Sequence, residues 1–201
     1  MIKRLFDILV SVAGLTLISP LLLILALFIK FDSPGPILFK QERIGKGFRP
    51  FRILKLRTMV EDSSKKGGQV TIGQDPRVTQ VGRFLRASKI DELPQLINVL
   101  KGDMSLVGPR PEVREFVELF HSEYEEILTV RPGITDLASL KYRDEAAILG
   151  QSESPEDDYV KRVLPDKIKL AKEYIRRSSL WFDLTVICRT VLKILGLQAF
   201  V

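Results

Sequence analysis

The longest uncharged segment of the chain lies near its N-terminus. It runs from Ile8 to Ile29, which is 22 residues without a charged side chain. At about 1.5 Å per residue, a helix of this length spans roughly 33 Å, enough for the hydrocarbon core of a bilayer. Basic residues flank it, with Lys3 and Arg4 before it and Lys30 after it. The segment predicts a membrane helix. It is too long for a cleaved signal peptide and is not followed by a small-residue cleavage pattern.

The middle of this segment contains the dipeptide Ser19-Pro20. A proline inside a helix removes a backbone hydrogen bond and clashes with the preceding turn, at a cost of about 3 kcal/mol. One possible structure is a straight anchor with a tolerated kink. The other is a helix-break-helix hairpin that enters and leaves by one leaflet, with Ser19 satisfying backbone groups freed at the break. Positive charge at both ends fits the hairpin, but the residues alone leave both structures open.

The composition limits the classes of site that the chain can build. A net charge of +6 suggests anionic partners, such as phosphates, nucleic acid or an anionic membrane surface. The one cysteine, Cys188, excludes an internal disulfide and suggests a reducing compartment. The one histidine, His121, is predicted to be solvated, so a His-rich zinc site and a Ser-His-Asp triad both lack parts.

The rest of the chain combines short strands with amphipathic helices. Apolar periodicity and turn residues predict two strands joined by the turn region IGKGFRP, followed by several helices. The strands are Ile37–Phe39 and Phe51–Thr58, and the helices are Val78–Leu85, residues 94–101 ending at Gly102, and Glu112–Leu128. Residues 61–74 are polar and glycine-rich and are predicted to form a loop. The fold class is therefore α+β and mainly helical, with a small β-hairpin.

The C-terminal stretch from Pro165 alternates basic residues with apolar and aromatic ones. The pattern suits an amphipathic helix lying in a membrane interface. It also suits a helix that packs on the core and turns a basic face to solvent. Arg189 and Lys193 interrupt the last apolar segment, residues 184–196, so no second membrane span is predicted.

Two basic side chains are predicted to point the same way from the second strand. Residues i and i+2 of a strand share a face, so Lys55 and Arg57 project together. They form either a clamp for phosphate groups or the solvated face of an edge strand. Further along, Arg83 and Arg86 would share one face of a short helix.

Two adjacent acids, Asp91 and Glu92, precede the helix that begins near Pro94. One interpretation is a pair of helix caps, since free N–H groups and the helix dipole favour negative charge there. The other is catalytic, because a carboxylate can attack a phosphorus centre and form an acyl phosphate if nearby cations offset the phosphate charge. Neighbouring residues of a regular helix or strand point apart. If both acids serve one site, we expect irregular backbone there.

Two proline-rich corners complete the candidate set. Pro109-Arg110-Pro111 is rigid because each proline fixes its own φ and restricts the residue before it. An arginine held in this way is pre-organised to meet an anionic group. Arg131-Pro132-Gly133 is a second corner of the same kind. The alternative is that both corners are ordinary turns.

Motifs along most of the chain resemble those of a known family. They are KRLFD before a hydrophobic segment with a central Ser-Pro, then SPGPILFKQERIG, FRILKLRTM, DPRVTQVGRFLR, IDELPQLINVLKGDMSLVGPRP and RPGIT. On these long, ordered matches the chain resembles the bacterial sugar transferases, which are monotopic polyprenyl-phosphate phosphoglycosyl transferases. It looks like their minimal catalytic unit, because the extra N-terminal transmembrane helices of larger relatives do not precede the motifs.

The resemblance implies a reaction. Such enzymes move a sugar 1-phosphate from a UDP-sugar to a polyprenyl phosphate such as undecaprenyl phosphate, and they release UMP. The family's Asp-Glu dyad matches Asp91 and Glu92. The aspartate is the expected nucleophile of a covalent phospho-sugar intermediate and the residue that lies against a required Mg²⁺. The expected substrate-binding residues are Ser19, Pro20, Lys55, Arg57, Asp75, Arg77, Arg86, Pro109, Arg110, Pro111 and Arg131, with the Pro-Arg-Pro turn at the nucleotide end of the donor.

The resemblance also implies an arrangement at the membrane. Residues 1–30 are expected to form the re-entrant hairpin, and residues 31–201 a membrane-associated catalytic domain on the cytoplasmic face of the bacterial inner membrane. Expected partners are the UDP-sugar, the polyprenyl phosphate and membrane lipid, with a homodimer left open and nucleic acid excluded for lack of a motif. Two departures from the family pattern are Lys89-Ile90 before the dyad and Asp136 where many members have glycine. The rival functions are a membrane-anchored module for anionic ligands and a scaffold without turnover.

Overall fold

Helices dominate the computed structural model of the chain, which describes residues 1–61 and 75–197. The predicted loop at residues 61–74 therefore falls outside the described residues, apart from Glu61. Two short pairs of strands accompany the helices. The predicted fold class, α+β and mainly helical with a small hairpin, is confirmed.

The first element is helix α1, Ile2–Asp32, and it contains Pro20. The helical backbone continues through Ser19-Pro20, so the predicted division into two helices is not found there. Pro20 has no N–H, which deprives the carbonyl of Thr16 of its usual donor. The Ser19 hydroxyl donates to that same carbonyl at 2.9 Å. The expectation that Ser19 satisfies a freed backbone group is confirmed, and this bond helps the helix to continue past the proline.

The hairpin is formed by β1, Leu38–Ile44, and β2, Pro50–Leu56, which pair antiparallel. The first strand extends well beyond the predicted Ile37–Phe39. Its residues 40–43 are all polar and only one residue of the strand is buried, so the alternating apolar pattern of a half-buried strand is missing there. The turn between the strands contains Gly47 at φ 64°, a left-handed conformation that glycine adopts at little cost.

A second sheet, which the sequence pattern did not reveal, pairs β3, Ser105–Val107, with β4, Gly133–Thr135, in parallel. The remaining helices are α2 (Gln80–Ser88), α3 (Gln95–Lys101), α4 (Arg114–Leu119), α5 (His121–Ile127), α6 (Leu137–Lys141), α7 (Glu145–Leu149), α8 (Pro155–Asp158), α9 (Leu164–Arg177) and α10 (Leu180–Ile194). The predicted helix Glu112–Leu128 is therefore two helices, α4 and α5, because the backbone leaves the helical region at Phe120.

The N-terminal helix is packed on the rest of the protein along its length. Near its start, Phe6, Leu15 and Ile18 pack against the core cluster that includes Val99 of α3. Near its end, Leu25 and Ile29 are buried in another cluster with residues of β2 and α2. The opposite face exposes large apolar side chains, among them Leu17, which is 81% exposed. The helix is long and apolar enough to cross a membrane, by length and composition alone.

The sequence left open whether the stretch from Pro165 lies in a membrane interface or packs on the core. The two helices of this stretch differ in that respect. Helix α9 buries Leu164, Ile168 and Tyr174, so it is a core helix with a solvated basic side. Helix α10 buries Asp183 and Val186 but leaves Trp181 and other apolar side chains of its outer face exposed. An interfacial position remains a prediction for α10 alone.

Candidate active site

The two adjacent acids lie on a single 3-10 turn, Ile90–Glu92, between α2 and α3. The turn exists because α2 ends at Lys89 in a left-handed conformation, φ 58°, and α3 begins after Pro94. The expectation of irregular backbone at the dyad is confirmed. Neither acid caps a helix through its side chain, because the cap of α2 is Thr79 and α3 has no side-chain cap.

Glu92 is bound by two cations from two different elements. Its Oε1 atom accepts a hydrogen bond from Lys55 Nζ of β2 at 2.7 Å and another from Arg110 at 2.9 Å. Burial alone would raise the pKa of Glu92, but Arg110 and Lys55 together hold it well below its ordinary value. Glu92 is therefore ionised, and its charge is compensated.

Asp91 has the opposite environment. The residue is buried, and its Oδ1 atom has no hydrogen-bond partner among the described residues. Burial raises the pKa of Asp91, an effect opposed by the charge of Lys55 and reinforced by that of Glu92. A buried acceptor without a partner is costly, typically about 1–3 kcal/mol and more when it is charged. Asp91 is thus the member of the dyad with a raised pKa and an oxygen that no described residue binds.

Arg86 supplies a further positive charge beside the dyad. It projects from α2, donates to Thr58 Oγ1 at 2.8 Å and acts electrostatically on Asp91. The motif that contains it also holds Asp75 and Arg77, whose side chains form a tight pair with Arg77 Nη2 2.6 Å from Asp75 Oδ2. Asp75 also acts electrostatically on Arg86. The expected cluster of basic residues around the acids is present, with Arg77 facing Asp75 rather than the dyad.

Lys55 and Arg57 do not form the predicted two-cation clamp. Arg57 Nη2 donates to the carbonyls of Ile29 and Ser33, at 3.1 and 2.5 Å, and to the Ser33 hydroxyl. These acceptors are at the C-terminal end of α1, where the Ile29 carbonyl also accepts from the Ser33 amide. Arg57 therefore caps α1, while Lys55 alone reaches the dyad.

The two proline-rich corners pack against each other through two glycines. A Cβ atom on Gly133 would lie 2.1 Å from the Gly108 nitrogen, so only glycine permits this approach. The Gly108 amide donates to Thr135 O at 3.1 Å, and the Gly133 amide donates to Pro109 O at 3.0 Å. This contact sets the loop of Pro109, Arg110 and Pro111 against the end of β4, with the Arg110 guanidinium directed at Glu92.

Three predicted site residues make contacts elsewhere. Arg131 Nε donates to the carbonyl of Gly102 at 2.8 Å. Ser19 bonds within its own helix, and Pro20 lies beside it on the exposed side of α1. The structure does not bring these side chains to the dyad, because Arg131 is engaged at the end of α3 and Ser19 and Pro20 serve the helix backbone.

Some polar residues near the dyad were missed by the sequence reasoning. Gln95, one helical turn after Asp91, is 1% exposed, and its side-chain nitrogen has no partner among the described residues. Glu112, next to Pro111, is buried and accepts from Arg43 and Tyr159. Asp136 accepts the Arg110 amide. A polar residue inside the apolar pattern of PQLINVLK was the available signal for Gln95.

The expected Mg²⁺ can be compared with the oxygen atoms that the protein offers. No group of three or more His, Cys, Asp or Glu side chains that could hold a metal ion occurs within residues 1–61 and 75–197. His121 is exposed and stacks on Phe48. Mg²⁺ is commonly bound by one or two carboxylates together with substrate phosphates and water. The free Oδ1 of Asp91 fits that mode, whereas an all-protein metal cage does not form among these residues.

Comparison with known proteins connects this geometry to a family. The sequence model of the family described as "Bacterial sugar transferase" matches residues 1–196. A UDP-N-acetylgalactosamine-undecaprenyl-phosphate N-acetylgalactosaminephosphotransferase of Aeromonas hydrophila is 44% identical over 199 residues. UDP-glucose:undecaprenyl-phosphate glucose-1-phosphate transferases of Caulobacter vibrioides and Escherichia coli K12 are 44% and 40% identical over 198 residues each.

These relatives are longer than this chain to different degrees. Each alignment covers 96% of this chain, but it covers 44%, 69% and 40% of the Aeromonas, Caulobacter and Escherichia proteins, respectively. The names of the relatives also specify two different sugars at similar identity. The shared region contains the dyad, the cations that bind it and the apolar helix.

Proposed function

The chain belongs to the bacterial sugar transferase family, and from that premise we propose that it moves a sugar 1-phosphate from a UDP-sugar to undecaprenyl phosphate and releases UMP. The observation that carries the proposal is the difference in environment between Asp91 and Glu92. The Asp91 carboxylate is buried, has a raised pKa and has an oxygen without a partner among the described residues, whereas the Glu92 carboxylate is held by two cations. That is the arrangement needed for nucleophilic attack on a phosphorus centre in a positively charged surround.

In the first step, a carboxylate oxygen of Asp91 attacks the phosphorus that bears the sugar. The new bond joins that oxygen to phosphorus, and the bond to the UMP oxygen breaks, so UMP leaves with the electron pair. Lys55, Arg86 and Arg110 offset the phosphate charge that would otherwise repel the carboxylate. The product is an acyl phosphate that carries the sugar.

In the second step, an oxygen of undecaprenyl phosphate attacks the same phosphorus. The Asp91 oxygen leaves with its electron pair, which regenerates the carboxylate and yields the lipid diphosphate sugar. Glu92 does not attack in either step, because both cations are bound to it and its charge is already compensated. Its role is to hold Lys55 and Arg110 beside the reacting phosphate.

The free Asp91 oxygen supports Mg²⁺ as the cofactor. The residue that would hold the ion is Asp91 itself, with the remaining ligands coming from donor phosphates and water. When bound, the ion would neutralise phosphate charge and favour the leaving group. Attack, charge compensation and the positioning of the cations remain the work of the protein's own side chains.

We further propose that the catalytic part lies on the cytoplasmic membrane face and that α1 enters only one leaflet. Both ends of α1 are bound to the same body. At the start, Arg4 donates to Val99 O and Asp7 accepts from Ser105 Oγ, and at the end Arg57 caps it. Crossing the bilayer would require one of these ends to leave the body, which argues against a span. The exposed apolar face of α1 would then lie against lipid.

The test is UMP release by the full chain in lipid discs with Mg²⁺, undecaprenyl phosphate and a panel of UDP-sugars. The panel includes UDP-glucose and UDP-N-acetylgalactosamine, the donors named in the relatives. We expect release with at least one donor, and none from Asp91→Asn. UMP release that persists in Asp91→Asn would refute the assignment of Asp91 as the nucleophile. Binding of donors without release from any of them would favour the scaffold or the anionic-ligand module.

A further inference from the structure

Asp136 is a buried acid at the edge of the site for which the family resemblance gives no role. It follows β4 directly and is 3% exposed. Both of its carboxylate oxygens are used. Oδ1 accepts the Ser139 amide at 2.6 Å, which caps α6, and Oδ2 accepts the Arg110 amide at 3.2 Å. The residue therefore joins the start of α6 to the loop that carries Arg110.

The bond to Arg110 matters because of the prolines on either side. Pro109 and Pro111 have no backbone N–H, so the Arg110 amide is the only backbone donor in the Pro-Arg-Pro turn. That donor is given to Asp136. The glycine contacts fix the loop at Gly108 and Pro109, one residue earlier. Arg43 holds the Pro111 carbonyl, one residue later. Among the described residues, Asp136 is the partner of the Arg110 amide itself.

Arg110 binds an acid at each end. Its backbone donates to Asp136 and its guanidinium donates to Glu92 at 2.9 Å. A shift of the Arg110 backbone moves the Cα atom from which the side chain extends, and with it the guanidinium. The charge of Asp136 also acts on Arg110 directly, adding to the larger effect of Glu92 in raising the pKa of that guanidinium.

We propose that Asp136 is a positioning residue that sets the reach of the Arg110 guanidinium into the site. It acts through the Arg110 backbone and has no contact with the reacting atoms. The inference rests on the proposed function only for its kinetic readout, since the contact between Asp136 and Arg110 stands without it.

The first experiment uses Asp136→Ser in the full chain. Serine is a good helix cap, so it keeps an acceptor for the Ser139 amide, but it has one oxygen and loses the bond to Arg110. The control is Ser179→Ala, which removes the cap on Phe182 N at the start of α10, away from the dyad. Because small displacements at a reacting centre cost up to about a hundredfold in rate, we expect Asp136→Ser to lower kcat/KM for the UDP-sugar about tenfold or more. Ser179→Ala should lower it less than about twofold.

A double-mutant cycle tests whether the effect passes through Arg110. In an Arg110→Ala background the guanidinium is absent, so Asp136→Ser should change kcat/KM by less than about twofold. An undiminished loss in that background would overturn the proposal, and so would wild-type kcat/KM in the single variant. Equal losses of kcat/KM in Asp136→Ser and Ser179→Ala would show that Asp136 acts only as a helix cap, which would also overturn the proposal.

A second measurement does not depend on turnover. Amide hydrogen exchange of residues 108–112 reports on few positions, because Pro109 and Pro111 contribute no amide. We expect faster exchange at Arg110 in Asp136→Ser and unchanged exchange in Ser179→Ala. Unchanged exchange at Arg110 in Asp136→Ser would overturn the proposal. If the wild-type chain releases no UMP with any donor, the proposed function fails, while this measurement still decides the role of Asp136.

Discussion

At the scale of single residues, the site separates two neighbouring carboxylates by their partners. Glu92 has two cations and a lowered pKa, whereas Asp91 has a raised pKa and an oxygen without a partner within residues 1–61 and 75–197. Both side chains are largely shielded from solvent, so burial alone cannot separate them. What separates them is where Lys55 and Arg110 point. A basic, unpaired carboxylate is reactive, and it is also a source of instability in the folded state.

The first prediction follows from that cost. Asp91→Asn removes a charge whose ionisation is disfavoured in the folded protein, so it should raise stability at neutral pH while abolishing UMP release. We expect a gain of about 1 kcal/mol, because a buried acceptor without a partner costs more when it is charged than when it is neutral, and this corresponds to roughly 2–4 °C in Tm for a chain of this size. Thermal unfolding in detergent measures it. Because the raised pKa keeps Asp91 protonated at low pH, the gain should shrink as pH falls through that pKa, and a loss of Tm at pH 7 would contradict this account.

The second prediction concerns the pH dependence of turnover. Asp91 must be ionised to attack, and burial raises its pKa above the ordinary 3.8. Therefore kcat/KM should fall as pH decreases through the pKa of Asp91 in the free enzyme, at a pH above the ordinary value. The measurement is kcat/KM between about pH 4 and 9. The pKa of Glu92 is held well below its ordinary value, so the absence of an acid limb within the measured range would contradict the assignment of Asp91.

At the scale of elements, β2 connects the apolar helix to the site. Lys55 and Arg57 lie two residues apart, at the end of this strand and just beyond it, yet one binds the dyad and the other caps the end of α1. The strand therefore couples the position of the apolar helix to the position of a cation in the site. The 3-10 turn between α2 and α3 contains both Asp91 and Glu92. One short piece of backbone therefore positions both acids of the dyad.

The third prediction tests the role of Arg57. Arg57→Lys keeps the charge, but the lysine side chain is one bond shorter and its ammonium cannot take the place of Nη2, the atom that donates to the carbonyls of Ile29 and Ser33. We expect a loss of stability of about 1–3 kcal/mol, seen as a lower Tm. KM for the UDP-sugar should stay within about twofold of wild type.

The matched variant is Lys55→Met, two residues earlier, which should lower kcat/KM because it removes a cation bound to Glu92. If Arg57→Lys retained the wild-type Tm and raised donor KM, the phosphate-clamp interpretation of Arg57 would be restored.

At the scale of the whole molecule, α1 is a part of the fold as well as the proposed membrane element. Lys3 pairs with Asp183 of α10. Two core clusters, one with Val99 of α3 and one with residues of β2 and α2, include α1 side chains. The functional boundary predicted near residue 30 is therefore not a boundary of packing. The exposed apolar face of α1 is the surface that lipid or detergent must cover.

The fourth prediction tests how the molecule sits in the membrane. In a Cys188→Ser background, Ile2→Cys and Pro34→Cys report on the two ends of α1, and both positions are exposed. A membrane-impermeant thiol reagent should label both from the cytoplasmic side of inverted vesicles and neither from the outside of intact spheroplasts. Leu17→Cys should be shielded by lipid in both preparations. Labelling of the two ends from opposite sides would show a straight span.

The sequence by itself determined the features that depend on composition and local order. A long uncharged segment is apolar wherever it goes, and Ser19 can serve Thr16 because the two are three residues apart. The dyad and the proline corners could likewise be anticipated from residue types. Local chemistry determines such features, since their partners lie close by in the chain.

Only the tertiary structure decided which partner each charged side chain binds. Lys55 and Arg57 look equivalent on a strand, and Asp91 and Glu92 look equivalent before a helix. Their roles diverge because Arg110, Ile29 and Ser33 arrive from distant parts of the chain. Contacts across such separations depend on how α1, β2 and the two proline corners pack together. A pattern of residue types carries no information on that packing, so the same pair of cations could have become a clamp or, as here, a cap and a site residue.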